Sequence, residues 1–549
     1  MFSFFVFYIH FFCVLLTLLR ICSIKKVVNI WEGYSMKVNG RTTLYANYTE
    51  EEFLSGSVTD QANRVIKILK DIKFSGIHEQ NYQDTKYLID YVYGDQDIKF
   101  KEKKTRTDIN NKSVENWAYA IVDWKKTYLL GKPVQYAPIN DVSNDEITQL
   151  NDYMKYENKT QLDKELWEDV IITGRGFRFN GATKVNDEDE APFEIVNLDP
   201  WNTEVIYSSG INKEQLCAFI NTQMVDYVEN FNQLTGENEI NEVPYDEYTV
   251  YSRNYCFVID NRTTDWELIS VKPLFAREHQ VTEYYINRER VGLIEIGKDI
   301  LDDINYIENL DLDDIEQNVN AIMVFTNAEV DKDDLDGIIE YGAVSIKSTD
   351  QMKASVEILQ SRLKSLDTQI FYLRKLQALH DILAVPQAQN NGNVSGGETG
   401  KAFLTGQGFT SASVRVEGEE LSFKACDRKS LKTLIKICKN SSASIIKNLK
   451  VSDIEIKLNR DLSDGMLVKA QTLLTLASAN IPPQIRNQVV NLFSDPNSVT
   501  KLQEEYEKQK LEIQQQIEKI NSKIGNPNQK VDNANNKIQD VTEIQEQEQ

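Results

Sequence analysis

The stretch Asn116–Pro138, NWAYAIVDWKKTYLLGKPVQYAP, decides how this chain is read. Ala118, Ile121, Val122, Lys125 and Leu129 recur at the spacing of one helical face, and Gly131 with Pro133 stops the run. An extended aromatic segment follows. Nothing in the stretch is chemically reactive, so what it carries is architectural.

The surrounding composition sets the class. At 549 residues the chain is too long for one compact domain, and 41% hydrophobic residues with little Gly or Pro make most of it globular. Lys+Arg 61 against Asp+Glu 84 leaves a net charge of −23, which argues against gripping nucleic acid by phosphate neutralisation. A protein that surrounds DNA and lets it slide is still allowed. The six cysteines (Cys13, Cys22, Cys217, Cys256, Cys426, Cys438) lack C-x-x-C spacing, so neither zinc site nor disulfide framework is indicated. With four distant histidines, no Walker sequence and no spaced carboxylate pair, we expect no catalysis, no metal and no cofactor.

Working outward, Thr49–Lys70 and Tyr82–Tyr93 read as helices, the second with Tyr87, Leu88, Tyr91 and Val92 on its apolar side. The basic patch Lys99–Arg106 reads as a solvated loop, because the flanking chain is acidic. Gln161–Phe179 passes from a helix into ITGRGFRF. Gly174 and Gly176 invite a phosphate-loop reading, but no Gly-Lys-Ser/Thr ending follows and no buried strand precedes. A glycine turn into an alternating strand is the better reading. Phe193–Tyr207 reads as strand, Asp-Pro turn, strand, and short alternating segments continue to about Pro273.

From Gly297 the character changes. Ile300, Ile304 and Ile307 share a helical face that Leu312, Ile315 and Val319 continue, while the polar side is acidic. Thirteen Asp/Glu lie between Lys298 and Asp336, opposed only by Lys298 and Lys332. Ala321–Phe325 and Gly342–Ile346 are strand candidates around a DKDDLDG turn. Met352, Val356, Leu359, Leu363, Leu366, Ile370 and Leu373 alternate spacings of four and three, which predicts one long helix with a narrow apolar seam. A Gly/Asn/Gln-rich loop, Pro386–Gly408, follows; such a long polar loop between helices usually has a task. Ser413–Phe423 reads as a short hairpin, Asp427–Leu449 as a helix and Ile454–Leu458 as a strand. Leu467–Ala479, Gln484–Phe493 and Thr500–Ile524 read as helices, and Gly525–Gln549 as a disordered tail.

The landmark stretch resembles a motif of the portal proteins of tailed bacteriophages, a helix reading roughly I-V-D-x-x-x-x-Y-L-x-G-x-P-V. Ile121, Val122, Asp123, Tyr128, Leu129, Gly131, Pro133 and Val134 match it. The glycine turn, and the order Asp199, Pro200, Val205, Ile206, Tyr207, are similar to later landmarks of that family. The likeness runs from about Thr49 to Gln509, closest to portals of long, non-contractile-tailed phages of Gram-positive hosts. Near the end Ile481, Asp495 and Pro496 match a crown pattern whose glycine, Glu-Thr pair and arginine are missing. The segment Gln407–Glu420 also departs from the family pattern.

The resemblance implies an α+β portal fold, mainly helical with a β-rich wing. Residues 36–296 would be the N-terminal part of the wing, 297–320 the first stem helix, 321–351 the clip and 352–385 the second stem helix. Residues 386–408 would be the tunnel loop, 409–463 the wing helix and strand, 464–524 the crown and C-terminal helix, and 525–549 the tail. It implies a non-enzymatic ring of about twelve subunits at the head vertex of the virion, assembled in the host cytoplasm. Terminase large subunit, scaffold, major capsid protein and head–tail connector would dock on it, and double-stranded DNA would pass non-specifically. Asp302, Asp303, Asp313 and Asp314 would line the channel. Asn390, Asn391, Ser395, Glu398 and Lys401 would form the tunnel loop, with Lys401 its only cation, and Asp331, Asp333, Asp334 and Asp336 would make clip contacts.

A membrane-anchored surface protein with a coiled-coil C-terminus is the alternative, resting on uncharged Phe2–Leu19. That segment lacks a basic n-region and a small-residue cleavage site. Trp31-Glu32-Gly33 is encoded by UGG-GAR-GGN, similar to a bacterial ribosome-binding site just ahead of Met36. We therefore expect translation from Met36, with residues 1–35 an over-extended reading frame and no membrane involved.

Overall fold

The computed structural model describes residues 40–458, apart from 105–106, 140–143, 186–189, 232–237, 263–265, 320–321, 327–354, 360–364 and 387–408, together with Leu476 and residues 505–515. The chain divides into a unit ending at Arg460 and a second beginning at Asp461, of which 505–515 form a helix with exposed Tyr506, Leu511 and Ile513.

The first unit opens with β1 (Leu44–Ala46), α1 (Glu50–Leu54), α2 (Val58–Ser75) and α3 (Ile77–Val92). The helix expected over Thr49–Lys70 is thus two. Gly56 turns the chain at φ +80°, and Ser57 caps α2 reciprocally with Asp60, as Thr49 caps α1 with Glu52. After a 3₁₀ turn come α4 (Trp117–Leu130), β2 (Gln135–Pro138), α5 (Asn144–Tyr156) and α6 (Lys159–Thr173). Strands β3 (Arg175–Ala182), β4 (Phe193–Leu198), β5 (Thr203–Ser208), β6 (Gln215–Phe231), β7 (Asn238–Ser252), β8 (Tyr255–Asp260), β9 (Glu267–Pro273) and β10 (Val281–Tyr285) follow. The rest is α7 (Leu293–Val319), β11 (Ile322–Thr326), β12 (Ser355–Leu359), α8 (Ser365–Leu383), α9 (Phe409–Asn440) and β13 (Ile454–Lys457).

The strands form a six-stranded sheet in the order β1-β5-β6-β7-β8-β9, a three-stranded sheet β10-β3-β4, and the pairs β13-β2 and β11-β12. Among the described residues only β1 pairs in parallel, with β5. The Asp199-Pro200 turn carries the chain from β4 in the smaller sheet to β5 in the larger. Phe177, Val205, Ala218 and Val281 pack where the two sheets meet. The landmark helix α4 buries Ala118, Ile121, Val122, Lys125 and Leu129, the face expected from its spacing. It contributes to a core with Trp167 of α6, Ile304 of α7, Leu379 and Leu383 of α8, and Phe423 of α9. Trp167 and Phe423 meet edge-to-face at 5.5 Å, an arrangement worth about 1 kcal/mol beyond its buried area.

Two glycines fix where α6 ends and α7 begins. Gly174 closes α6 at φ +83°, and a Cβ there would stand 2.1 Å from Arg290 O. A Cβ on Gly292 would stand 2.1 Å from Ile172 O. The two backbones therefore touch without intervening side chains, and the Gly174–Gly176 pair serves packing.

Three expectations need correction. Ser355–Leu359 is a strand, not the start of the second long helix, which begins at Ser365. Val356 and Ile358 alternate as well as fitting a helical period, and they pair across to Phe325 and Met323 of β11. On α8 the buried face runs through Leu379 and Leu383, while Ile370 and Leu373 of the expected seam are exposed. Ser413–Phe423 is not a hairpin but part of α9, because Ala412, Val416 and Phe423 are buried at helical spacing. That helix stops at Asn440, short of the Leu449 expected. The Gly342–Ile346 strand and the helices over 467–493 fall outside the described residues.

Candidate functional site

Helix α7 and helix α8 form an antiparallel hairpin. A Cβ on Gly297 would meet Leu383 Cδ1 at 2.9 Å, and further along Lys375 Nζ reaches Asp303 Oδ2 at 2.5 Å. The strand pair β11–β12 lies between the two helices in chain order. At 27 residues α7 is about 40 Å long.

Its acidity divides into two stripes. At about 100° per residue, Lys298, Asp302, Asn305, Asn309 and Asp313 fall within one arc of roughly 80°. Residues 111–115 lie along this arc, running opposite to the helix. Glu115 N donates to Asn305 Oδ1 at 2.8 Å. Ser113 N donates to Asn309 Oδ1 at 2.6 Å, and Asn309 Nδ2 returns a bond to Ser113 O at 2.7 Å. Asn111 N donates to Asp313 Oδ1 at 2.7 Å. Alternate residues of an extended segment thus meet successive helical turns, matching two strand residues to one turn of helix.

Charge reinforces this zipper at both ends. Lys101 and Lys103 reach Asp313 Oδ2 at 2.8 and 2.5 Å. Burial would raise the Asp313 carboxyl, but hydrogen bonds from Lys101, Lys103 and Asn111 hold it well below the ordinary range. At the other end Lys298 Nζ bridges Asp302 at 2.6 Å and Asp97 at 2.8 Å, and Tyr91 OH donates to Asp302 Oδ1 at 2.7 Å. Burial dominates at Asp302 and pushes its carboxyl up, with Lys298 opposing. The patch Lys99–Arg106 is therefore no plain solvated loop: Lys101 and Lys103 are spent on the helix.

These contacts decide where the four expected channel residues point. Asp302 and Asp313 belong to the inner stripe and are held by the chain's own groups, against their expected place on a channel wall. Asp303 and Asp314, with Asp299, fall within about 60° of one another on the outer stripe. Asp299 and Asp314 are exposed, and Asp303 is half-buried beside Lys375. Sequence spacing could have separated the stripes, because Asn305 and Asn309 mark the inner one. The tunnel-loop residues Asn390, Asn391, Ser395, Glu398 and Lys401 lie outside the described residues, as do Asp331, Asp333, Asp334 and Asp336.

A second polar cluster, which sequence reading missed, ties helices and strands of the first unit together. Arg178 Nη1 meets Asp163 Oδ1 at 2.6 Å, Lys159 Nζ lies 2.8 Å from Asp163 and 3.1 Å from Asp427, and Tyr136 and Tyr284 donate to Asp427 at 2.8 and 2.9 Å. All six side chains are buried. They join α6, β2, β3, β10 and α9, so α9 is anchored by ions. Burial would raise Asp427, but Lys159 and Arg178 hold its carboxyl down.

Among the described residues no three His, Cys, Asp or Glu gather to hold a metal ion, and no helix is long and apolar enough to cross a membrane. No curated protein matches the sequence. Among solved structures, a chain of the "Neck of empty GTA particle computed with C6 symmetry" aligns over 68% of this chain and 90% of its own length, with 8% identity and a TM-score of 0.38. The sequence profile of phage portal proteins of the SPP1 Gp6-like type matches residues 72–519. That span takes in the landmark helix, the glycine turn, the three-stranded sheet, strands β5 to β9 of the six-stranded sheet and the α7–α8 hairpin, and the chain belongs to the SPP1 Gp6-like phage portal protein family.

Proposed function

We propose that the chain is one subunit of a cyclic portal ring at the head vertex, through which DNA is packaged and later ejected. The α7–α8 hairpin carries this reading. Its outer surface leaves Ile296, Tyr306 and Ile315 of α7, and Ile370, Phe371 and Leu373 of α8, exposed on a single chain. Head-to-tail neighbours would cover these apolar side chains, since a repeated heterologous contact closes into a ring. The outer carboxylates Asp299, Asp303 and Asp314 would then recur around the lumen and repel phosphates, so that DNA slides without sticking. Asp302 and Asp313 have a different task in this reading: they hold the stem to segment 91–116.

The ring performs no chemistry and hydrolyses nothing, so packaging energy comes from a docked terminase. The acidic tip bearing Asp331, Asp333, Asp334 and Asp336 is the proposed contact for motor and head–tail connector. Lys401 of the tunnel loop is the proposed phosphate contact. Scaffold and major capsid protein surround the ring during assembly in the host cytoplasm. Native mass spectrometry with negative-stain imaging, on protein expressed from Met36 without detergent, tests the assembly. A soluble ring of about twelve subunits with a central hole is expected; a monomer, or a product soluble only with residues 1–35 and detergent, overturns it. A Lys401→Ala variant that packages DNA with unchanged efficiency and length removes the phosphate contact.

A further inference from the structure

Strands β6 and β7 outrun the sheet they belong to. β5 accompanies β6 only as far as Thr203 opposite Ile220, and β8 accompanies β7 only as far as Asp260 opposite Glu247. The two strands stay paired with each other out to Phe231 opposite Asn238. The eight pairs from Met224 with Tyr245 to Phe231 with Asn238 thus form a ribbon about 25 Å long, with no strand on either edge among the described residues.

A two-stranded ribbon is marginal by itself in water. This one also turns apolar side chains outward on both faces: Val225 and Tyr227 on one, Met224 and Val243 on the other, each 39–65% exposed. Nearer the base, Phe219 and Val250 of the same two strands are fully buried. Arg262 reaches Asp226 at 3.8 Å at the foot of the ribbon, and the chain lends it no other cation among the described residues. Contiguous apolar surface left in water marks a contact. The ribbon is built to be covered.

Charge identifies the cover. From Glu214 to Ser252 the chain holds eight Asp/Glu and no Lys or Arg, so two ribbons laid together would oppose like charges. From Arg428 to Ser452 it holds seven Lys/Arg and no Asp/Glu, although the whole chain has a net charge of −23. The fold brings this basic block to the end of the sheet away from the ribbon. Arg253 directly follows β7, and there Arg253, Lys432 and Lys436 gather on the buried Glu278 carboxylate at 3.3, 3.2 and 3.6 Å. Arg253 also holds Glu50 at 3.0 Å, so three cations meet two carboxylates. Arg277, next to Glu278, and Arg428, one turn before Lys432, are exposed and add to the excess. Phe275 supplies apolar surface there, 52% exposed, with its carbonyl bonded to Asn440 at the end of α9. Glu242 precedes Arg253 by eleven residues of extended chain, about 36 Å, so the ribbon and the basic end of one copy do not meet. We propose that the β6–β7 ribbon of one copy docks on the basic end of the next, its carboxylates facing Lys432, Lys436 and Arg277 and its apolar residues facing Phe275. Within the ring proposed for the chain, on which this contact rests, donor and acceptor at opposite ends of the same strands let every copy give one contact and receive one.

The test uses the full-length chain and mass photometry over a dilution series, which reads the subunit concentration at half assembly. In the Glu229→Lys, Glu242→Lys double variant that concentration should rise roughly tenfold or more. Raising salt from about 0.1 to about 1 M should weaken assembly of the unsubstituted chain in the same direction. Both substitutions lie on the ribbon beyond the body of the sheet, so the unfolding temperature should stay put, which circular dichroism checks. Crosslinking reads the contact itself, in a Cys13→Ser, Cys22→Ser background whose other four cysteines are buried. A Glu242→Cys variant mixed with a Lys432→Cys variant and treated with a short bis-maleimide should give a covalent pair, and neither variant alone should. An assembled ring whose half-assembly point is unmoved in the double variant, or whose mixed variants do not crosslink, overturns this contact and leaves the ring standing. Crosslinking of the Glu242→Cys variant with itself means that ribbon meets ribbon, and overturns it equally. Mixed pairs that crosslink in a protein that never closes support the contact and count against the ring.

Discussion

Replacing Asp313 by Asn tests whether the zipper along α7 is held by charge. The substitution keeps Oδ1 for Asn111 N but strands Lys101 and Lys103 without their carboxylate. Deleting one partner of a fully buried ion pair costs about 3–5 kcal/mol, whereas an exposed pair is worth at most about 1 kcal/mol. Here the side chains are 4% exposed for Asp313, 10% for Lys101 and 25% for Lys103, which places the loss between those limits. We expect about 2–3 kcal/mol, felt locally, so the amides of Asn111, Ser113 and Glu115 should exchange roughly 30- to 150-fold faster. Hydrogen-exchange mass spectrometry of residues 107–116 reads this directly, with Gln215–Ile220 in the six-stranded sheet as the internal reference. Asp314→Asn, an exposed neighbour, should change exchange by less than about 0.5 kcal/mol equivalent. Adding Lys101→Met and Lys103→Met to Asp313→Asn should restore much of the protection, because no unpaired charge is then left half-buried. Unchanged exchange at 107–116, or equal acceleration in the reference strand, refutes the reasoning.

Gly174→Ala, which must relieve a contact with Arg290 O at left-handed φ, should cost about 3 kcal/mol or more, read as loss of soluble yield or a lower unfolding temperature. Arg178→Met leaves Asp163 and Asp427 with one cation between them and should destabilise the wing by about 3–5 kcal/mol in urea unfolding. Burial would raise Glu204, but Arg175 and His78 bring its carboxyl down to about 2, below an unfolded value of 4.5. Its stabilising contribution is therefore present above pH 4.5 and lost as pH falls toward 2, and Glu204→Gln should flatten stability against pH in that window.

The parts legible in sequence were those where one apolar period dominates. Ala118 to Leu129 of the landmark helix, the Leu88–Tyr91–Val92 face of α3, and the strands either side of Asp199-Pro200 all stand as read. Reading failed where polar residues carried the packing. On α7 the inner and outer carboxylates are the same residue type, and the spacing from Asn305 and Asn309 that sets Asp313 apart from Asp314 acquires its meaning only through the contacts of residues 111–115. The same contact gave the basic patch a partner about two hundred residues away, beyond any local signal. At Ser355–Leu359 two periods coincide and the pairing strand decides between them. Asp163, Arg178 and Asp427 carry no local signal of burial, since burial of a charge is visible only once its counter-ions are assembled around it.

Helix α9 is a rod held along its length, with Ala412, Val416 and Phe423 buried and Asp427 gripped by ions. From Phe409 to Asp427 it spans about 27 Å, and the clamp at Asp427 is the buried ion cluster joining five elements. A displacement at Phe409 must therefore deform the core around Val416 and Phe423 before it reaches β2, β3 and β10 through the ion cluster. The weak point along the rod is Gly418, where nothing lies within 4 Å of a would-be Cβ and backbone entropy opposes the helix. Bending at that residue would let the start of the helix yield while the buried contacts from Phe423 to Asp427 stay in place.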